Sequence, residues 1–406
     1  MAVWCGIDWA ERHHDVALVD ESGTLLARRR IDSGPVGFAE LLEVLAEHSQ
    51  PDQPLAVAIE TARGLLPAAL AAAGIQVFAI NPLSVARYRD RHAVSGGKSD
   101  RADALVLANI LRTDQHAHRP VPADSEHALQ VRVLARAHQD AVWDRQQIVN
   151  RLRALLLEYY PAAVATFPDL ATPVAHQVLL LAPTPTQGGL LRRPALQAAL
   201  VRAGRQRGIA AEVERIHAAL RTPQLRQLPA VERAMGSRAL GLVESLEAVA
   251  RTADRLREEV TAAFETHPDA ELITSLPGLG SILGARVLAE IGDDRSRFAD
   301  ARGLKAYAGS APITRASGKT RRVQSRLVRN RRLADAGDRW ALCLLTASPG
   351  ARAQYDRRRE RGDTHAMATR NLANRYFGIL FHLLQTSQAF DELKAHPPAS
   401  AAVVAA

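Results

Sequence analysis

The chain has 406 residues, with 52 Lys and Arg against 43 Asp and Glu, which gives a formal net charge of +9. This length exceeds what one compact core usually serves, so we expect two domains and a connector. The positive balance favours contact with a polyanion, and nucleic acid is favoured over an anionic membrane. Because no apolar run is long enough to span a bilayer and the N-terminus lacks a signal-peptide pattern, we expect a soluble, cytoplasmic protein.

The cysteine content is low. Cys5 and Cys343 lie far apart in the sequence, each within an apolar stretch. We therefore expect two buried thiols in a reducing compartment, and a cysteine-based zinc site is excluded.

The first 80 residues predict a mixed sheet. Three short strands joined by turns are expected within residues 3–30, followed by a helix over 37–49, a strand over 55–60, a helix over 64–73 and a strand over 75–80. Three antiparallel strands followed by alternating helices and strands is the element order of the RNase H-like fold, which actin-like ATPases share. In such a sheet the first and fourth strands are neighbours.

The rest of the chain predicts mostly helices. An amphipathic helix capped by Ser99 runs to about Arg112. Two longer helices, near 126–160 and 238–264, carry apolar residues every seven positions and predict an antiparallel coiled-coil arm, with an ordinary helical bundle as the alternative. We expect an α/β catalytic domain, a helical arm with an inserted segment, a mostly α C-terminal domain and a disordered tail. Their expected ranges are 1–125, 126–268 with 161–237 inserted, 269–390 and 391–406.

Four acidic residues stand where a charge is unfavourable or where a helix begins. Asp8 lies within the first predicted strand and Glu60 ends the fourth, so the sheet would bring them together at one end. Asp100 and Asp103 are three residues apart at the start of a helix and share one of its faces. Carboxylates gathered in one partly dry site repel one another, and a hard divalent cation relieves that repulsion.

The expected ion is Mg²⁺ or Mn²⁺, because every ligand is an oxygen and no Cys or His falls in a comparable pattern. Two such ions activate a nucleophile and stabilise the leaving oxygen of a phosphodiester. Each acid alone has an ordinary explanation, as a helix N-terminal charge or a solvent-facing strand residue. Together, in this element order, the four predict a metal-dependent phosphodiester-cleaving site.

The C-terminal region contains a glycine turn and a strongly basic segment. Gly278 and Gly280, before an apolar helix, are typical of a helix-hairpin-helix element whose backbone amides approach a phosphate; a plain Pro-Gly turn is the alternative. From residue 301 to residue 334 there are ten Lys or Arg residues and no Asp or Glu. Solvated helix faces usually interleave acidic residues, so we expect nucleic-acid contacts here. The expected contact residues are Arg315, Lys319, Arg321, Arg322, Arg326 and Arg329.

Taken in order, these motifs resemble the DEDD transposases of the IS110 family of insertion sequences, which are related to Piv-like pilin-gene invertases. The matching segments are GIDWA (6–10), AIET (58–61), INP (80–82), KSDRADA (98–104), LPGLG (276–280) and YAG (307–309). The resemblance implies a RuvC-like (RNase H-like) N-terminal domain bearing the acidic tetrad, a coiled coil and a C-terminal transposase domain that supplies a serine. The chief departure from the family pattern is the long segment 161–237.

The resemblance places that serine at Ser317, between Arg315 and Lys319. It implies that Ser317 attacks a phosphodiester and holds the DNA covalently while strands are exchanged. It also implies a dimer or tetramer, and a guide RNA transcribed from the flank of the element. From the residues alone, Ser317 is a loop serine before a glycine, placed to touch a phosphate.

Three other functions fit parts of the pattern. An actin-like ATPase or sugar kinase also begins Gly-Ile-Asp, but it needs Gly, Ser or Thr after that Asp to receive phosphates, and Trp9 and Ala10 stand there. A RuvC-like nuclease would hydrolyse DNA without a covalent intermediate. A non-catalytic DNA-binding protein would use only the glycine turn and the basic segment, and the acidic tetrad argues against it.

Overall fold

The computed structural model describes residues 2–48, 55–92, 100–318 and 320–397, and gives only the backbone at residues 91, 92, 100 and 101. The predicted helix cap Ser99 and the predicted DNA contact Lys319 lie outside the described residues. The chain divides into two compact units, residues 1–123 and 124–406. Within the described ranges, no helix has the length and apolar character needed to cross a membrane.

The first unit is built on a five-stranded mixed sheet. Its strands are β1 (Trp4–Trp9), β2 (His13–Val19), β3 (Leu25–Asp32), β4 (Ala56–Ile59) and β5 (Gln76–Ala79). They lie in the order β3-β2-β1-β4-β5; β1, β2 and β3 are antiparallel neighbours, whereas β4 is parallel to β1 and β5 to β4. The predicted mixed sheet and the predicted adjacency of the first and fourth strands are confirmed.

Helices cover both faces of this sheet. They are α1 (Pro35–His48), α2 (Leu65–Ala72), α3 (Pro82–His92) and α4 (Asp100–Asp114), the last followed by a 3₁₀ turn, Gln115–Ala117. Cys5 and Ile7 of β1 pack with α1 and α2, and Ala58 of β4 packs with α3 and α4 on the opposite face. Since successive strand residues point to opposite faces, Gly6 and Asp8 lie on the α4 side.

The second unit is mostly helical. Its helices are α5 (Glu126–Tyr159), α6 (Pro161–Thr166), α7 (Pro173–Leu181), α8 (Pro185–Leu190), α9 (Arg193–Arg202), α10 (Ile209–Ala219), α11 (Pro229–Glu265), α12 (Ala270–Thr274), α13 (Ser281–Ile291), α14 (Ala301–Tyr307), α15 (Arg331–Ala347), α16 (Pro349–Glu360), α17 (His365–Thr386) and α18 (Glu392–Ala395). Two further strands, β6 (Ile313–Ser317) and β7 (Thr320–Gln324), form a separate antiparallel pair.

Helices α5 and α11 pack against each other as a pair. Helix α11 begins at Pro229 rather than near residue 238, because proline suits the first turn of a helix. Its buried residues include Ala239, Leu246, Ala253 and Val260, which recur every seven positions. The coiled-coil assignment stays a prediction. Helices α6, α7, α9 and α10 share a hydrophobic core with α5 and α11, in which Tyr160, Leu196 and Ile216 are fully buried.

The rest of the second unit packs around Trp340 of α15, whose ring centroid lies 5.6 Å from those of Tyr376 and Phe377. The prediction of two buried thiols is wrong for Cys343, which is exposed beside the buried residues Trp340 and Leu344 of α15. The predicted disordered tail is wrong for residues 391–397: α18 lies there, and its Glu392 carboxylate accepts a hydrogen bond from Ser348 Oγ at 2.7 Å. The predicted boundary at 268/269 stays a prediction.

Candidate active site and nucleic-acid interface

Asp8 and Glu60 lie at the same end of two adjacent parallel strands. Ile7 of β1 and Ile59 of β4 are register partners, and each acidic residue directly follows one of them. Both acidic residues are half-buried. The sheet therefore brings the first two predicted ligands together, as the sequence indicated.

A glycine allows α4 to approach this strand end. A Cβ atom at Gly6 would lie 2.0 Å from the carbonyl oxygen of Ala104 and 2.4 Å from the backbone nitrogen of Ala108, so no larger residue fits. Trp4 Nε1, at the other end of β1, donates to Gln115 beyond the C-terminus of α4 at 2.9 Å. Helix α4 thus runs antiparallel to β1, and its first residues lie toward Asp8.

Asp103 is buried in the first turn of α4 and has a partner that the sequence did not reveal. Its side chain is 4% exposed, and Arg89 Nη2 on α3 lies 2.6 Å from its Oδ1. Arg89 is itself only 18% exposed, so the ion pair is largely shielded from water. No spacing rule predicts this contact, because Arg89 is one of four Arg and His residues, with an Asp, between residues 87 and 92.

A fifth carboxylate lies beside the predicted set. Asp15 of β2 is the register partner of Asp8, and directly opposite residues share a face of the sheet. Asp15 is 3% exposed. Arg30 binds both of its oxygens, with Nη2 at 2.7 Å and Nε at 3.2 Å. Arg30 therefore neutralises Asp15 within the sheet, directly opposite Asp8.

Asp8 and Glu60 carry carboxylates, which are the kind of oxygen ligand that a hard cation prefers. Among the side chains that the structure describes, no three His, Cys, Asp or Glu groups come close enough to hold an ion. Asp100, the fourth predicted ligand, is the first residue of α4, and its side chain is outside the described part of the chain. The buried Asp103 carboxylate already has one positive partner, the Arg89 guanidinium.

Ser317 lies at the tip of an exposed β-hairpin in the second unit. Ser317 ends β6 and is the register partner of Thr320, the first residue of β7. Gly318 follows Ser317 with φ 53°, which a tight hairpin turn requires. The sequence prediction of a loop serine missed the strands; the β-branched residues Ile313, Thr314, Thr320 and Val323 around the turn were the available signal.

The hairpin carries its basic side chains outward. Arg315 and Arg322 are register partners and, like Arg321, are exposed. Alternation along β6 places Arg315 on the same face as Ser317, so two guanidinium groups share the face of the hydroxyl. A two-stranded ribbon of this kind is narrow enough to enter the major groove of duplex DNA.

Two other predicted DNA contacts also pack within the protein, and their contact with DNA stays a prediction. Arg329 is exposed, although its side chain crosses Gly309, where a Cβ atom would lie 2.1 Å from Arg329 Cδ, and Arg326 is half-buried. Gly278, with φ 77°, lies against α15, and a Cβ there would be 2.9 Å from Cys343 Cβ. Trp340 Nε1 also donates to Pro277 O at 2.9 Å, so contacts with α15 hold this turn in place. Of the two predicted glycine contacts, only Gly280 has open space where a Cβ atom would lie.

The base of the hairpin is held by a buried polar network. Asn330 donates its backbone N–H to Tyr307 O at 2.8 Å, which closes the segment between them. Its Nδ2 donates to Glu290 Oε2 at 2.6 Å, and Glu290 also accepts two bonds from Arg136 at 2.7 and 2.8 Å. Glu290 is 2% exposed, so these bonds fix the hairpin to α13 and α5.

Comparison with known proteins gives the class. Residues 5–161 match a family described as "Transposase", and residues 270–356 match one described as "Transposase IS116/IS110/IS902 family". The chain is 57% identical over 403 residues to the "Mini-circle putative transposase for IS117" of Streptomyces coelicolor, which covers 98% of this chain and 97% of that protein. It is 30% identical over 396 residues to the "Insertion element IS116 uncharacterized 44.8 kDa protein" of Streptomyces clavuligerus, with 96% of each chain covered.

The chain belongs to the IS116/IS110/IS902 family of transposases. Transposases bind DNA, cleave it and rejoin it, and a net positive charge suits a protein that binds DNA.

Proposed function

We propose that this transposase exchanges DNA strands with a divalent-metal site formed by Asp8, Glu60, Asp100 and Asp103 and with Ser317 as the nucleophile. The observation that carries the first half is the meeting of Asp8 and Glu60 at adjacent strand ends, with the start of α4 brought beside them by the close packing at Gly6. An exposed serine flanked by guanidinium groups supports the second half.

The carboxylates would hold Mg²⁺ or Mn²⁺, which polarises the scissile phosphate and neutralises charge on the leaving oxygen. Asp8 lies within β1 and Glu60 directly follows β4, so the sheet positions the backbone from which both carboxylates extend. Asp103 is paired with Arg89, so a metal ion bound by Asp103 would replace the Arg89 guanidinium as its positive partner.

In the proposed strand exchange, Ser317 Oγ attacks phosphorus. A new Oγ–P bond forms, the bond from phosphorus to one deoxyribose oxygen breaks, the serine proton passes to a solvent or carboxylate base, and the leaving oxygen takes up a proton from solvent. The deoxyribose hydroxyl of the second strand then reverses the reaction and releases Ser317. Arg315 and Arg322, on the face of Ser317, stabilise the charge that develops on the phosphate oxygens.

The test uses supercoiled plasmid carrying the ends of the element. Wild-type protein with Mg²⁺ should give strand cleavage and a covalent protein–DNA adduct. Cleavage without any adduct would instead support a RuvC-like nuclease that hydrolyses DNA directly, and binding without cleavage would support a non-catalytic protein.

The resemblance also supports two partners. We propose a dimer or tetramer and an element-encoded guide RNA. Light scattering on purified protein gives the subunit number, and sequencing of the RNA that copurifies with the protein tests the second partner. A monomer would contradict the proposed oligomer. Copurified RNA of unrelated sequence would contradict the proposed guide RNA.

Replacing Arg315, Arg321 and Arg322 together by Gln should weaken DNA binding and flatten its salt dependence. The slope of log affinity against log salt should fall by about one unit for each phosphate that the hairpin no longer neutralises. The matched control is the triple Lys variant, which keeps the charge and should keep the slope. An unchanged slope in the Gln variant would show that the hairpin does not touch phosphate.

Replacing Arg89 by Gln should strengthen the response to metal. Asp103 then remains buried without its counter-ion, so the variant should melt at a lower temperature than the wild type without metal. Added Mg²⁺ should raise its melting temperature by more than it raises that of the wild type. Arg87→Gln, at an exposed position of the same helix, is the control. If Mg²⁺ raises the melting temperatures of the wild type and Arg89→Gln equally, Arg89 does not act at the metal site.

A further inference from the structure

A cleft of about 690 Å³ lies in the second unit, away from the hairpin strands. Its walls come from α14, α16, α17 and the segment that leads into α18. This volume falls within the range of small-ligand sites.

One wall of the cleft is positively charged. Lys305, Arg375 and Lys394 line it, and Asp391 is its one acidic lining residue among those the structure describes. The Asp391 carboxylate is already engaged, because it accepts the backbone N–H groups of Leu393 at 2.9 Å and Lys394 at 3.3 Å. Three cationic side chains, beside one carboxylate that is already hydrogen-bonded, favour the binding of an anionic group such as a phosphate.

A second part of the cleft presents side-chain amides. Gln354 Nε2 donates to Asn371 Oδ1 at 3.1 Å, and Ser310 Oγ donates to Asn374 Oδ1 at 3.1 Å. These bonds use the oxygens of both asparagines and leave their NH₂ groups to act as donors. Two such amide donors match the acceptor atoms on the edge of a nucleobase.

The remaining surface is apolar and includes an aromatic ring. Ile379, Leu383 and Phe390 line the cleft. Gly378 of α17 keeps it open, because a Cβ atom there would lie 2.7 Å from both Cε and Nζ of Lys305. The Lys305 side chain therefore crosses directly over the glycine. An apolar floor with a ring suits the flat face of a base.

We propose that this cleft binds one nucleotide, with its phosphate on Lys305, Arg375 and Lys394 and its base against Phe390 and the amides. The nucleotide is either free or an unpaired residue of a bound strand. The bond from Ser310 to Asn374 joins the cleft to the segment that leads into β6. The proposal goes beyond the strand-exchange chemistry, since it uses neither the carboxylates nor Ser317, and its failure leaves that chemistry untouched.

The test titrates the full chain with the four ribonucleoside 5′-monophosphates and, separately, with inorganic phosphate, by calorimetry. At least one nucleotide should bind about tenfold or more tightly than phosphate, because the base adds interactions that phosphate lacks. Gly378→Leu places a larger side chain in the floor of the cleft and should remove most of the difference in affinity between nucleotide and phosphate. Gly241→Leu is the matched control, since Gly241 lies in α11 with open space around it. Leucine favours the helix over glycine at both positions, and thermal melting checks folding.

Two duplexes of equal length distinguish the sources. Tighter binding of a duplex with a single-nucleotide bulge than of a fully paired one, with the preference abolished in Gly378→Leu, assigns the cleft to an unpaired strand residue. Nucleotide binding without that preference assigns it to a free nucleotide. The proposal is overturned if no nucleotide binds better than phosphate, or if Gly378→Leu and Gly241→Leu behave alike.

Discussion

Asp8→Ala and Glu60→Ala will each reduce DNA strand cleavage on the order of a thousandfold or more, because each removes a carboxylate from the proposed metal site. Both residues are half-buried at a strand end, so alanine there opens no large cavity, and folding should be retained. Cleavage of a supercoiled plasmid and thermal melting measure the two effects. Glu43→Ala, an exposed position on α1, is the control and should cleave normally.

Asp103 should behave differently from the other acidic residues. Its alanine variant leaves the Arg89 guanidinium in a largely buried site without a counter-charge, so it should also melt at a lower temperature. Asp103→Asn together with Arg89→Gln removes both charges and should recover stability without recovering cleavage. If the double variant cleaves as well as wild type, Asp103 is not a ligand. Mg²⁺ should raise the melting temperature of the wild type more than that of Asp8→Ala or Glu60→Ala.

Ser317→Ala will bind element DNA with unchanged salt dependence but will form no covalent adduct. The hydroxyl lies at the hairpin tip, where it is exposed and contributes no core packing, so only its chemistry is removed. Mass spectrometry of wild-type protein trapped on a nicked substrate should find the DNA on the peptide that contains residue 317.

The matched control is Ser325→Ala, an exposed serine of the same basic segment, which should form the adduct normally. Ser310 is a weaker rival in the structure, because its hydroxyl is buried and donates to Lys305 O at 3.2 Å and Asn374 Oδ1 at 3.1 Å. An adduct found on Ser325 or Ser310, or recombination by Ser317→Ala, would defeat the assignment of the nucleophile.

The two halves of the proposed mechanism lie in different compact units. Asp8 and Glu60 belong to residues 1–123 and Ser317 to residues 124–406. Neither unit carries both the carboxylates and the serine, so we expect that neither cleaves DNA alone. Mixing Asp8→Ala protein with Ser317→Ala protein tests whether the parts act between subunits: recovered cleavage means that they act in trans.

The sequence by itself determined the sheet and the positions of its acidic residues. Alternating apolar residues and turn residues define strands locally, and the order of the elements then fixes which strands are neighbours. Asp8 and Glu60 could be paired in this way because each directly follows an apolar strand residue, and the strands are adjacent. The helix pair α5 and α11 followed from periodicity for the same local reason.

Only the tertiary structure decided which groups meet across long distances in the sequence. The contact of Arg89 with Asp103, the packing of α4 on Gly6 and the bonds that tie Asn330 to Glu290 depend on how helices pack, and no local pattern encodes them. The exposed hairpin was missed because its outward residues bury no apolar face, so its strands lack the alternation that marks a half-buried strand. The packing of Arg329 across Gly309 and of Gly278 against α15 likewise depends on the tertiary structure, since a sequence shows the charge of an arginine or the freedom of a glycine but not the side chains against which it lies.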